Sequence, residues 1–128
     1  MKIKLTSVIV DDQKKALEFY TKVLGFIKKL DFPAGKFRWL TVVSHEEPNG
    51  TELLLEPNEN PAAKPYQESI FKQGIPLTMF FVEDIQKEYQ RLSALGVKFT
   101  VPPTKTPGSM IAVFDDTCGN LIQITQLG

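Results

Sequence analysis

The sequence predicts an α+β fold made of two tandem β-α-β-β-β modules, and two observations carry that prediction. First, the stretch 8–26, VIVDDQKKALEFYTKVLGF, returns in degraded form at 79–97 as MFFVEDIQKEYQRLSALGV. Val10 answers to Val82 and Asp12 to Asp84 at an offset of 72, while Leu24-Gly25 answers to Leu95-Gly96 at an offset of 71. Second, both copies have one internal order: a short apolar strand, an acidic turn, then an amphipathic helix closed by glycine. A chain of 128 residues, 42% hydrophobic, has the length of one domain and enough apolar side chains for a core.

Taken in order, residues 3–10 alternate as a strand, with Leu5, Ser7 and Ile9 on one side and Lys4, Thr6, Val8 and Val10 on the other. Asp12 is placed to cap a helix whose buried stripe is Ala16, Leu17, Phe19, Tyr20, Val23 and Leu24, stopped by Gly25. Residues 26–31, 37–44 and 51–56 read as strands, separated by turns at Phe32-Pro33-Ala34-Gly35 and 46–50. The first module therefore covers 1–57. A proline-punctuated connector, 58–74, carries a short helix with Tyr66, Ile70 and Phe71 on one face. The second module, 75–128, repeats the scheme: strand 76–82, the cap Asp84, and a stripe of Ile85, Tyr89, Leu92 and Leu95. Strands 97–101, 109–114 and 121–126 follow, with PPTKTPG at 102–108 read as a loop because of its prolines.

Charge narrows the function classes. Lys plus Arg equals Asp plus Glu at 15 each, which argues against a nucleic-acid partner, since phosphates demand surplus cations. No apolar run is long enough to span a bilayer, and MKIKLTSV carries no signal-peptide pattern. Cys118 is the only cysteine and makes no intrachain disulfide, so a cytoplasmic setting is expected.

The segments VDDQKKALEFYTKVLGF and FDDTCGNLIQITQ resemble the vicinal oxygen chelate superfamily, which includes glyoxalase I, bleomycin resistance proteins and extradiol dioxygenases. The resemblance covers nearly the whole chain. It implies mixed sheets curled around a central cleft, and a homodimer. In metal-dependent members it implies ligands, mostly His and Glu, on the first and last strand of each module. On this sequence those positions fall at Leu5, Leu77, Gln123 and near Glu52, with Leu53 and Leu54 also compatible with the hairpin length. Leucine donates nothing and an amide oxygen is a poor ligand for Zn, Ni or Fe, so no metal cofactor is expected. A metal enzyme would need a non-standard set such as Glu52 and Glu56 with His45, the only histidine.

Side assignment then nominates a binding surface. Setting Trp39-Leu40-Thr41-Val42-Val43 against Met110-Ile111-Ala112-Val113-Phe114, at offset 71, puts Leu40, Val42, Ile111 and Val113 towards the helices. The cleft then receives Trp39, Thr41, Val43, Met110, Ala112 and Phe114, together with Leu5, Ser7, Ile9, Met79, Phe81 and Gln123. From these, Trp39, Thr41, Ser7, Met79, Phe81, Met110, Phe114 and Gln123 are the candidate substrate contacts. Each has a second reading as ordinary core. Trp39, the only tryptophan, either stacks on a planar ligand or packs between the sheets or at a dimer seam. Glu52 is the candidate catalytic group: a base or cation holder inside a cleft, or an outward glutamate on an edge strand. Asp115 and Asp116 fit turn chemistry, and Cys118 lacks a histidine to activate it.

The expected function is binding of a small, largely apolar organic molecule. The alternatives are a glyoxalase- or dioxygenase-type enzyme with an unusual metal site, and metal-free acid-base catalysis through Glu52.

Overall fold

The computed structural model describes residues 1–128. The first module has β1 (Leu5–Val10), α1 (Gln13–Glu18) continuing into a π-helical turn (Phe19–Val23), β2 (Ile27–Ala34), β3 (Phe37–Val43) and β4 (Glu52–Pro57). A connecting helix, α2 (Ala63–Lys72), leads to β5 (Thr78–Phe81), α3 (Ile85–Ala94), β6 (Phe99–Thr106), β7 (Ser109–Asp115) and β8 (Leu121–Leu127). The strands form two four-stranded sheets, ordered β1-β4-β3-β2 and β5-β8-β7-β6. In each, the first pair is parallel and the other pairs are antiparallel, so both sheets are mixed. Two compact units result, Met1–Pro65 and Tyr66–Gly128. The α+β class and the repeated β-α-β-β-β order are as the sequence predicts.

Both helix starts rest on the predicted caps. Asp12 accepts from the Lys15 amide at 3.0 Å, and Asp84 from the Lys87 amide at 3.1 Å. Each bond satisfies one of the amides that a first helical turn leaves free. The helices then differ. In the first, the Leu24 amide donates to Phe19 O, five residues back, and the Phe26 amide to Tyr20 O. That widened turn takes up one extra residue, which is why the repeat offset falls from 72 at the caps to 71 at Gly25 and Gly96. The first module recovers the residue in the next loop. One residue, Phe26, separates Gly25 from β2, whereas Val97 and Lys98 separate Gly96 from β6. At the starts of β2 and β6, Ile27 and Phe99, and of β3 and β7, Phe37 and Ser109, the offset is again 72.

Each helix covers one face of its own sheet. In the first unit Ala16, Phe19 and Tyr20 are buried, as are Val8, Val10, Leu40, Val42, Leu53 and Leu55 on the facing strands. Full burial of such a Val or Leu contributes about 1.5–3 kcal/mol. In the second unit Ile85 and Leu92 of α3 are buried, and Phe99 packs edge-to-face with both Tyr89 and Phe114, ring centroids 4.7 and 5.6 Å apart.

Several elements depart from the sequence reading. β2 runs through Phe32, Pro33 and Ala34, and β6 runs through Pro102 and Pro103, where turn and loop were expected. Both are edge strands, where a missing N–H costs no ladder bond, and β6 slips register on both sides of Val101. Leu95 is 55% exposed, not part of the α3 stripe. In α2 the buried residue is Gln67, while Tyr66 is 56% exposed.

Candidate functional site

The face of each sheet that its helix does not cover is where the candidate residues collect. In the first unit the register sets Leu5 beside Glu52, Ser7 beside Leu54 and Ile9 beside Glu56 across the parallel pair. It sets Thr41 beside Leu54 and Phe32 beside Trp39 across the antiparallel ones. Paired residues project to one side, and alternation along β3 and β4 sends Leu40, Val42, Leu53 and Leu55 to the other. Trp39, Thr41, Ser7, Glu52 and Glu56 therefore share a face with Leu5, Ile9, Leu54 and Phe32. It is largely apolar: Leu5 is 42% and Phe32 48% exposed.

The polar point on that face has an ordered geometry. Thr41, fully buried, donates its hydroxyl to Glu52 Oε1 at 2.7 Å and accepts the Leu30 amide at 3.1 Å. The Leu30 N–H polarises the Thr41 hydroxyl, which fixes one carboxylate oxygen of half-buried Glu52. The basic residues of β2 and β3 are committed elsewhere. Arg38 holds both oxygens of Asp31, at 3.0 and 2.6 Å. Lys28 adds a 3.5 Å contact to Asp31, and Lys29 reaches Pro48 O at 3.1 Å. Arg38's hydrogen bond is the main cause holding the Asp31 carboxyl below its ordinary range, and Asp31 in return raises Arg38.

Gln13, to which sequence reasoning gave no role, closes the end of this sheet. Its side-chain amide donates to Arg38 O at 2.7 Å and Leu55 O at 2.9 Å, and its oxygen accepts the Arg38 amide at 3.0 Å. The paired β3–β4 register covers only Thr41–Leu54 and Val42–Leu53, and Gln13 bridges the strands beyond it. The corresponding β7–β8 ladder runs from Ser109–Leu127 to Asp115–Leu121 and has no such gap.

In the second unit Met79 lies beside Gln123 and Phe81 beside Thr125, with Val113 and Ile111 continuing those rows. Met79 is 44% and Phe81 63% exposed, and Gln123 Nε2 donates to Thr125 Oγ1 at 3.2 Å. Met110, Ala112 and Phe114 are not on this face. Phe114 packs with Phe99 under Tyr89, and Met110 pairs with Gln126, whose Oε1 accepts the Ile85 amide at the start of α3. The expectation that Met110 and Phe114 lie on the helix-free face is therefore corrected. It rested on an offset of 71, whereas β3 and β7 are related by 72, and a slip of one residue inverts every side chain on a strand.

Register also relates the last strands of the two modules to one another. Ser7 pairs with Leu54 as Met79 pairs with Gln123, so Leu54 is the counterpart of Gln123. Glu52 lies two residues earlier, beside Leu5. With Leu54 in place of Glu52, the positions that the family resemblance implies for metal ligands read Leu5, Leu54, Leu77 and Gln123. Three side chains have no donor atom and the fourth offers an amide, which does not fit a catalytic transition metal. His45 is exposed in the turn after β3.

The paired aspartates serve the β7–β8 turn. Asp115 accepts the Thr117 amide at 2.7 Å. Buried Asp116 accepts the Cys118 and Asn120 amides at 2.7 and 3.0 Å and the Asn120 side chain at 2.8 Å. Gln67 closes the cluster on Asn120 Oδ1 at 2.9 Å and Cys118 O at 3.2 Å, and Cys118 is fully buried.

The comparisons agree with this architecture. The chain is 67% identical to the uncharacterized protein YurT of Bacillus subtilis (strain 168), over 98% of this chain and 99% of that one. Among solved structures, UcmS2 superposes with a TM-score of 0.84 at 32% identity, covering 98% of this chain and 97% of that one. TnmS3, an antibiotic binding protein from Streptomyces sp. CB03234, superposes with a TM-score of 0.81 at 31% identity, covering 100% and 97%. The model of the Glyoxalase/Bleomycin resistance protein/Dioxygenase superfamily matches residues 2–124. With its duplicated β-α-β-β-β modules and that match over nearly its whole length, the chain belongs to the Glyoxalase/Bleomycin resistance protein/Dioxygenase superfamily.

Proposed function

We propose that this protein binds a small, largely apolar organic molecule, without a catalytic metal, at a helix-free sheet face, the candidate contacts being Trp39, Thr41 and Ser7 on that of the first unit and Met79, Phe81 and Gln123 on that of the second. What supports this reading is the side-chain set at the positions where the family resemblance implies metal ligands, Leu5, Leu54, Leu77 and Gln123. It supplies apolar contact area where metal-dependent members supply donors. The likeness to TnmS3, an antibiotic binding protein, supports binding over turnover. The family also supports a homodimer as the working unit, and the single, buried Cys118 fits a cytoplasmic setting.

The test is a thermal-shift series on untagged protein, first with divalent metals and then with planar aromatic compounds and antibiotics. A ligand at a hundred times its dissociation constant adds about 2.7 kcal/mol. For a domain of this size that is several degrees. An aromatic compound that raises Tm and quenches Trp39 fluorescence, with metals inert, supports the proposal. A metal that raises Tm with no response to organic compounds overturns it.

A further inference from the structure

The first sheet consists of two well-paired halves joined by a narrow seam. β1 pairs with β4 from Leu5–Glu52 to Val10–Pro57, and β2 pairs with β3 out to Ala34–Phe37 beside their turn. Between the halves the paired residues are Thr41–Leu54 and Val42–Leu53, whereas β7 and β8 pair from Asp115–Leu121 to Ser109–Leu127. The reason lies in β4. Continued outward, the Thr41–Leu54 register sets Arg38 opposite Pro57, which has no N–H to give the Arg38 carbonyl.

Gln13 stands in for that missing rung. Its Nε2 donates to Arg38 O and Leu55 O, and its Oε1 accepts the Arg38 amide, so one side chain supplies both the donor and the acceptor of a strand residue. Its counterpart 72 residues on is Ile85, fully buried in a module whose ladder needs no substitute. Burial changes at the same point of β3. Leu40, Thr41, Val42 and Val43 are buried, whereas residues 32–39 include no fully buried side chain. The outer end of the hairpin, where Phe32 pairs with Trp39, thus lies beyond both the seam and the core.

We propose that residues 32–39 form a flap hinged at Thr41–Leu54 and latched by Gln13. Breaking the Gln13 bonds swings Trp39 and Phe32 away from β4 while the core under Leu40 and Val42 stays closed. Gln13 is a positioning residue: it holds Trp39 through the backbone of the residue before it. On the binding function proposed above, the latch also sets how wide this face opens to a ligand.

The test begins with hydrogen exchange of the wild-type protein, followed by NMR in zero and low urea. Arg38 and its counterpart Met110 are both half-buried, so burial alone predicts equal protection. The Arg38 amide should exchange roughly tenfold or more faster than that of Met110. Its rate should be flat in low urea, because a local opening exposes little surface, whereas that of Val42 should rise with urea. Gln13→Met keeps the length of the side chain and removes the donor and the acceptor. In the folded variant Trp39 emission should shift to the red and be quenched more readily by acrylamide, a change that a loss of stability alone does not cause. Adding Pro57→Val, which returns an N–H opposite Arg38, should reverse the emission change and slow the Arg38 amide. Should Gln13→Met not fold, the wild-type exchange decides. Arg38 matching Met110 in rate, or matching Val42 in urea dependence, overturns the flap. So does a folded Gln13→Met with unchanged Trp39 emission. All these measurements are made without ligand, so failure of the flap and failure of the binding function are separate results.

Discussion

At Gln13 one amide makes three hydrogen bonds, to the Arg38 N–H, the Arg38 carbonyl and the Leu55 carbonyl. Gln13→Ala leaves these part-buried backbone groups without their partner, and should cost about 1–3 kcal/mol in urea denaturation. Nothing local announced that role. A cap such as Asp12 is legible because it acts within its own first turn, whereas Gln13 acts on strands 25 and 42 residues away. Asp31 illustrates a pH effect at the same scale. Arg38 depresses its folded-state value, so the stabilisation is present above the ordinary value of 3.8 and is lost as pH falls through the lower folded value. Tm measured against pH should therefore separate wild type from Asp31→Asn at neutrality, and the curves should converge on the acid side. At Gly119, φ is 101° and an added Cβ would stand 2.7 Å from Gln67 Nε2. Gly119→Ala should destabilise by about 1–3 kcal/mol, read from the denaturation midpoint, because both backbone and buried amide must shift.

Among the elements, the π-helical turn Phe19–Val23 is where the two modules diverge. Its extra residue and the short loop after Gly25 compensate one another, so removing either alone displaces β2 relative to β3. Deleting Lys22, an exposed residue of that turn, should lower the urea midpoint by the equivalent of about 1–3 kcal/mol. Inserting one residue between Phe26 and Ile27 in the same variant should restore part of the loss, by giving the first module the helix and loop lengths of the second. The repeat offsets of 72 and 71 held that information, but a one-residue difference locates an insertion only within the helix. The prolines of β2 and β6 were unreadable for a related reason. Proline excludes a central strand and permits an edge, and which strands are edges is a property of the assembled sheet.

For the whole molecule, chelator treatment should leave Tm and aromatic-probe binding unchanged. A loss of either on metal removal, restored by adding metal back, would count against the metal-free reading. The sequence by itself determined the duplicated modules, both helix caps, the α+β class and the family. Those features are written in local chemistry and in a repeat, which need no knowledge of distant neighbours. Tertiary structure alone decided that Leu54 and not Glu52 is the counterpart of Gln123, and that Met110 and Phe114 belong to the helix side. It also decided that Thr41 fixes one oxygen of Glu52. The reason lies in the two-residue period of a β-strand: a single residue of uncertainty reverses the face, and only hydrogen-bonded register removes it.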